Sequence, residues 1–342
     1  MTGDRFSAIT ARYPSLRIGV VGDFFLDRYL EIDPAKGEIS IETGLPVYNV
    51  EAVRANPGAA GTILNNLVAL GIGEIFPVGF CGDDGEGYEL RRALAARAGV
   101  NSEHFIKSDL RRTPVYCKPL VMEPGQPPRE LNRFDSKNWT PTPIELQREL
   151  AARVISLSKV VDVLILMDQV DIPESGVVTS LVCEAALQAL RDRKDLIVLA
   201  DSRRGVKDYP PLGFKMNANE LGQMLGSQVT DLADVRAQAA TLAGRNGQPV
   251  FVTLAERGIV GALSGKGAEH VASHPVRGPI DIVGAGDSVT ANLAAALAGG
   301  ADLREAMEIA MAGASIVVHQ LGTTGTASVP EIAGLLGIPL DA

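Results

Sequence analysis

The run Asp281-Ile282-Val283-Gly284-Ala285-Gly286-Asp287-Ser288 sets three small residues immediately before a carboxylate. Without bulky side chains, such a turn can aim successive backbone N–H groups into one concavity, which suits an anion. The stretch that follows, 288–298, is apolar and rich in alanine, and reads as a buried helix. The turn therefore falls at a helix N-terminus, where unpaired N–H groups and the macrodipole both favour negative charge. Asp287 sits in that positive spot. An anion hole formed by Gly284, Ala285 and Gly286 beside a carboxylate base is equipment for moving a phosphoryl group onto a hydroxyl. An aspartate that merely caps the helix would give the same pattern.

Two other segments carry chemistry of the same kind. Asn217-Ala218-Asn219-Glu220 follows a short apolar strand and opens a helix. An amide and a carboxylate three apart lie on one helix face and could orient Mg²⁺ waters and phosphate oxygens. The same pair also suits an N-cap with a capping-box glutamate, and both readings can hold at once. Thr253-Leu254-Ala255-Glu256-Arg257-Gly258 stands at the end of another strand. Its threonine, glutamate and glycine could line a nucleotide, although a hairpin turn would also call for the glycine.

The elements that must position these residues alternate. Short apolar runs at 17–21, 75–78, 163–167, 196–200 and 250–254 read as strands buried on both faces. Helical patterns at 61–70, 86–98, 144–158, 175–191 and 235–243 lie between them. That order predicts an α/β protein with a mostly parallel sheet covered on both sides. Asp23 and Asp201 end two of the strands, at the carboxyl edge where open α/β sheets bind ligands. Segments 29–56 and 113–135 break the alternation with β-branched, aromatic and proline residues. They read as antiparallel strands forming a lid over the sheet, with Pro124, Pro127 and Pro128 marking a turn.

Composition narrows the field. The net charge of −9 argues against binding nucleic acid or an anionic membrane through bulk electrostatics. Cys81, Cys117 and Cys183 are an odd number, lie far apart and form no CxxC, so reduced thiols are expected. With no apolar run long enough to span a bilayer and no visible signal peptide, a cytoplasmic location is expected. His104, His270, His274 and His319 show no metal spacing, and His319 reads as a packed residue near a helix end. Trp139, flanked by Asn138 and Thr140, reads as a packing anchor. There is no Gly-x-x-x-x-Gly-Lys-Ser/Thr, and Val289 takes the place of the third glycine in a dinucleotide fingerprint.

The ordered set 22–27, 58–66, 217–220, 253–258 and 281–287 resembles the PfkB, or ribokinase-like, sugar kinases along nearly the whole chain. Within them, Val20-Val21-Gly22-Asp23-Phe24-Phe25-Leu26-Asp27-Arg28-Tyr29 and Arg133-Phe134-Asp135 look most like the kinase domain of heptose-7-phosphate kinases. The resemblance implies one three-layer α/β/α domain over 1–342 with a β-sheet lid, and transfer of the ATP γ-phosphate to a sugar or sugar-phosphate hydroxyl. It implies that Asp287 is the base and that Gly284, Ala285 and Gly286 form the anion hole. Asn217 and Glu220 would organise Mg²⁺, and Thr253, Glu256 and Gly258 would form the nucleotide wall. Asp27 and Gly58 would hold the sugar, and Gly322-Thr323-Thr324-Gly325 would rim the adenine pocket. Asp281 stands where relatives place a ligand to a monovalent cation such as K⁺. Lids of this kind often pair between subunits, so a homodimer is expected. With the chain ending at Ala342, the nucleotidyltransferase activity fused to some heptose kinases is expected on another chain.

The departures fall mostly on the sugar side. Ala59 stands for a second glycine, and Thr62 occupies the position of an asparagine that touches the sugar. Glu38-Ile39-Ser40-Ile41-Glu42 replaces a lid motif that carries an arginine, so a basic residue has become acidic. A pocket for a sugar phosphate would then depend on Arg112, Lys118 and Arg133. Ile282 and Met311 replace a threonine and an adenine-contacting asparagine. A nucleoside kinase of the same fold, or a ligand sensor that has lost catalysis, are the other readings the residues allow.

Overall fold

The computed structural model describes residues 1–226, 231–322 and 324–339. Nine strands form the main sheet. In spatial order they are Gly267–Val271, Ile259–Leu263, Val250–Thr253, Gly213–Asn217, Ile197–Ser202, Val163–Asp168, Arg17–Gly22, Glu74–Gly82 and Phe105–Ser108. All neighbours pair in parallel except Ile259–Leu263, which is antiparallel to the strands on both sides. The centre of the sheet is apolar on both faces, as Val163 to Met167 illustrate, because helices cover both. Helices Ala60–Ala69, Ala285–Ala298 and Leu303–Val317 pack on one side, and Ile144–Leu157, Ser180–Asp192 and Leu232–Asn246 on the other. The expected three-layer α/β/α architecture is the one observed.

The junction between sheet and lid is built at Gly22 and Asp23. A Cβ on Gly22 would lie 2.4 Å from the Met167 carbonyl oxygen, so only glycine lets the strands close there. Asp23 spends its carboxylate on the backbone. Oδ1 accepts from Val177 N–H at 2.7 Å and Oδ2 from Gln169 N–H at 2.8 Å. Two backbone donors fix this strand-end aspartate as an anchor for the loop after Val163–Asp168. The same bonds explain why the helix expected to begin at 175 begins at Ser180: the preceding residues form the turn that Asp23 holds.

The lid is a second sheet of strands Phe24–Ile32, Val50–Ala59, Val115–Val121, Arg129–Glu130 and Phe134–Ser136. It starts at Phe24, ahead of the expected 29, because Phe24, Phe25 and Leu26 are buried where lid and body meet. Its strands were expected to be antiparallel throughout, but Phe24–Ile32 pairs in parallel with Val115–Val121. The reason lies in the connections. Phe24–Ile32 continues from Arg17–Gly22, and Val115–Val121 follows Phe105–Ser108, so both leave the carboxyl edge of parallel strands in the same direction. A short hairpin, Glu38–Ile39 with Pro46–Val47, projects from this lid. Among the described residues no helix is long and apolar enough to cross a membrane. Cys81, Cys117 and Cys183 are free thiols.

Candidate active site

Helix Ala285–Ala298 is N-capped by Gly284, whose φ of 84° is a left-handed conformation open to glycine at little cost. The Ala285 N–H turns back to Ile282 O at 3.2 Å. The N–H groups of Gly286 and Asp287, in the first helical turn, have no intrahelical acceptor. The anion hole therefore rests on Gly286 and Asp287 together with Gly284, and Ala285 serves the turn.

Asp287 opens to the cleft but is otherwise surrounded by protein. Burial pushes its carboxyl up to about 7, the negative charges of Asp201 and Asp27 push the same way, and Lys215 opposes them. A carboxylate held near neutrality is suited to general-base work. The same couplings show that Asp27, from the lid, and Asp201 and Lys215, from the carboxyl edge of the main sheet, converge on it.

The acceptor side is built from the lid. Asp27 is buried, and a Cβ on Gly58 would sit 2.7 Å from its carboxyl carbon. Desolvation raises the Asp27 pKa, while Lys118 and Arg133 counter that rise. Lys118 Nζ is 3.9 Å from Asp27 Oδ1 and lies over the Tyr29 ring at 4.9 Å. Arg133 stacks its guanidinium 4.7 Å from the Tyr116 ring centroid and pairs with Asp135 at 3.2 Å. Thr62 is buried, and its Cγ2 lies 3.5 Å from where a Gly284 Cβ would be, against the anion-hole turn. Arg112 is not in this group, since its charge acts on Asp84 at the start of helix Gly85–Ala95. Trp139 is 64% exposed, so it is not a packing anchor. It flanks the cleft beside Lys137, whose Nζ lies 6.0 Å from its ring.

The nucleotide-side residues also gather. Asn217 and Glu220 form a reciprocal capping box: Oδ1 accepts from Glu220 N–H at 3.0 Å, and Glu220 Oε2 from Asn217 N–H at 2.7 Å. Thr253 is the register partner of Asn217 on the neighbouring parallel strand. Glu256 is in the 3₁₀ turn Ala255–Arg257, which ends at Gly258 with φ 96°. Gly258 is required by the turn, since a Cβ there would lie 2.0 Å from Val271 O. Asp281 accepts from Val283 N–H at 3.0 Å and from Gly322 N–H at 3.3 Å, tying the anion-hole turn to the 322 loop. Thr323 lies outside the described residues. His319 packs as expected at a helix end, where its Nε2 accepts from Arg277 N–H at 2.9 Å. Met311, at the adenine-contact position, is buried in the core, whereas Ile282 is exposed.

Sequence reasoning missed Lys215 and Thr290. Lys215 is buried, and its Nζ lies 2.8 Å from Asp201 Oδ2. Thr290 Oγ1 lies 3.0 Å from the same oxygen. A lysine inside an otherwise apolar strand, two residues before Asn217, was the available signal.

With this geometry in place, the comparisons can be read. The model of the pfkB family of carbohydrate kinases matches residues 34–330. The chain belongs to that family. It is 33% identical over 328 residues to bifunctional protein HldE of Azotobacter vinelandii, covering 94% of this chain and 64% of that protein. It is 32% identical over 308 residues to bifunctional protein HldE of Azorhizobium caulinodans, covering 90% of this chain and 61% of that protein. The chain thus spans less than two thirds of the length of these curated relatives. Two solved structures share the fold. Phosphofructokinase-2 from Escherichia coli, in complex with substrates and products, has a TM-score of 0.70 at 18% identity over 94% of this chain and 98% of that one. Arabidopsis thaliana ribokinase complexed with ribose and ATP has a TM-score of 0.64 at 19% identity, over 94% and 98%. This pfkB-family kinase is therefore a phosphotransferase by family, and its lid and sheet are those of the fold.

Proposed function

We propose that this pfkB-family chain transfers the γ-phosphoryl group of ATP to a hydroxyl of a sugar or sugar phosphate, with Asp287 as base. The observation that carries the reading is the meeting of Asp287, at a helix N-terminus, with the lid carboxylate Asp27. One binds where the phosphoryl arrives, the other where a polyol is held. Phosphoryl transfer needs chiefly positioning and charge stabilisation, and these residues supply both. In the proposed step Asp287 takes the acceptor proton and the acceptor oxygen attacks phosphorus in line. The bond to the β,γ-bridging oxygen breaks, and its electron pair leaves with ADP. The Gly284, Gly286 and Asp287 N–H groups receive the transferring oxygens.

Mg²⁺ would neutralise charge on the nucleotide phosphates. Glu220 and Asn217 fit that task through water: the capping box leaves Glu220 Oε1 and the Asn217 amide N–H₂ uncommitted. A monovalent cation such as K⁺ fits beside Asp281, whose two oxygens each accept one N–H and keep further lone pairs. Lys118 and Arg133 around Asp27 favour an acceptor that already bears an anionic group. The acidic hairpin does not exclude one, because Glu38 is exposed and accepts from Asn49 at 3.2 Å.

A homodimer through the lid is part of the proposal. Ile41 is fully exposed, and Ile39, Leu45 and Phe134 are more than half exposed, forming an apolar face that a second copy would cover. A panel of sugars, sugar phosphates and nucleosides, read by ADP release, tests the activity. A nucleoside as the best acceptor would replace the sugar reading.

A further inference from the structure

Beneath the anion hole lies a cation that no sequence motif announced. Lys215 stands on the interior strand Gly213–Asn217 and is 8% exposed. Its Nζ donates to Asp201 Oδ2 at 2.8 Å, and this is its one hydrogen bond among the described residues. An ammonium group has three N–H donors, so two remain. Asp201 Oδ2 is also held by Thr290 Oγ1 at 3.0 Å, and Thr290 donates as well to Gly286 O at 3.1 Å. A Cβ on Gly286 would lie 3.0 Å from Lys215 Nζ, so the ammonium rests directly against the first turn of helix Ala285–Ala298. Its charge is felt by Asp287, Asp201 and Glu220 alike.

Burying a lysine is costly unless it is paired and hydrogen-bonded. Here the partner fixes the ammonium where the first-turn N–H groups already concentrate positive potential, between the base and the Mg²⁺-organising pair. An apolar strand residue would pack there with less penalty, so a local anion accounts for the lysine better than stability does.

We propose that Lys215 is a catalytic residue that contacts a non-bridging oxygen of the transferring γ-phosphoryl group, and that Asp201, steadied by Thr290, is its positioning residue. The inference deepens the kinase reading above and rests on it. During transfer the acceptor oxygen–phosphorus bond forms and the bond to the ADP leaving oxygen breaks. Lys215 donates a hydrogen bond throughout and neither gains nor loses its proton, which goes from acceptor to Asp287.

The first test needs no acceptor. ATP and ADP affinities are measured by calorimetry with Mg²⁺ for the wild type, Lys215→Met and the double variant Asp201→Asn/Lys215→Met. A contact to the γ-phosphoryl predicts that either variant weakens ATP at least tenfold while ADP changes less than threefold. Equal losses for both nucleotides, or no loss, overturn the proposal. The double variant removes both buried charges together, so the test survives if Lys215→Met does not fold.

The second readout is the pH profile of kcat/KM on the best acceptor. Lys215→Met should lower kcat by about 10²–10³-fold and shift the acid limb to higher pH, since it removes a cation that favours the Asp287 carboxylate. Asp201→Asn should shift that limb to lower pH, since it removes a like charge. Shifts in the same direction, or none, contradict the assignment. A flat acceptor panel from a wild type that still distinguishes ATP from ADP would overturn the sugar-kinase reading while upholding this contact.

Discussion

Gly58 makes the room that the Asp27 carboxylate occupies. A Cβ at position 58 would lie 2.7 Å from both Cγ and Oδ2 of Asp27, and 2.9 Å from Oδ1. Since the two residues are near neighbours across paired strands Phe24–Ile32 and Val50–Ala59, neither strand can yield without breaking the lid ladder. Gly58→Ala should therefore displace the carboxylate. Acceptor KM should rise at least tenfold, with ATP affinity within threefold of wild type. An unchanged acceptor KM would remove Asp27 from the acceptor site.

Asp287→Asn should fold with an unaltered circular dichroism spectrum and lose about 10²–10⁴-fold in kcat, the usual contribution of a positioned base. Retention of a tenth or more of wild-type turnover would sink the role assigned to it.

The pH dependence follows from the environment of Asp287. Burial and two neighbouring carboxylates push its pKa up to about 7. The base works ionised, so kcat/KM should fall tenfold per unit as pH drops below about 7 and level off above it. For stability the sign is opposite. A carboxyl whose folded pKa is raised contributes stability that is full below its unfolded value and is lost as pH rises through about 7. The thermal midpoint should thus drop more between pH 6 and pH 8 in the wild type than in Asp287→Asn. An equal drop in both would show that Asp287 titrates normally.

Gly258 offers a test of stability rather than of chemistry. Its φ of 96° is a region L-residues avoid, and a Cβ would lie 2.0 Å from Val271 O. Gly258→Ala should cost on the order of 3 kcal/mol or more, read as a lowered denaturant midpoint. A wild-type midpoint would mean that the turn rearranges freely.

The exposed apolar residues of the lid predict association. Sedimentation at micromolar concentration should give twice the chain mass, and Ile41→Asp with Leu45→Asp should give the monomer. A monomeric wild type would end the dimer proposal.

The layers of the fold were legible because strands buried on both faces, such as Val163–Asp168, carry unbroken apolar runs between helical repeats. The anion-hole turn was legible because glycine and aspartate mark it locally. What the sequence hid depends on contacts between distant segments. Nothing near residue 23 says that its carboxylate will accept from Gln169 and Val177 N–H, which turned a candidate ligand into an anchor. The parallel pairing inside the lid follows from where two strands leave the main sheet, and no local pattern encodes it. Trp139 read as core by residue type alone, yet it stands 64% exposed beside the cleft. Lys215 lay hidden for the same reason, since its partner Asp201 is on a neighbouring segment and its target turn is far along the chain.

The most direct measurement is acceptor-dependent ADP release from ATP and Mg²⁺, run in parallel on the wild type and Asp287→Asn over sugars, sugar phosphates and nucleosides. The account predicts one sugar-class acceptor far above the acceptor-free rate in the wild type, and no such signal in the variant. A flat panel from a protein that binds ATP, or the same acceptor response in both proteins, would contradict it.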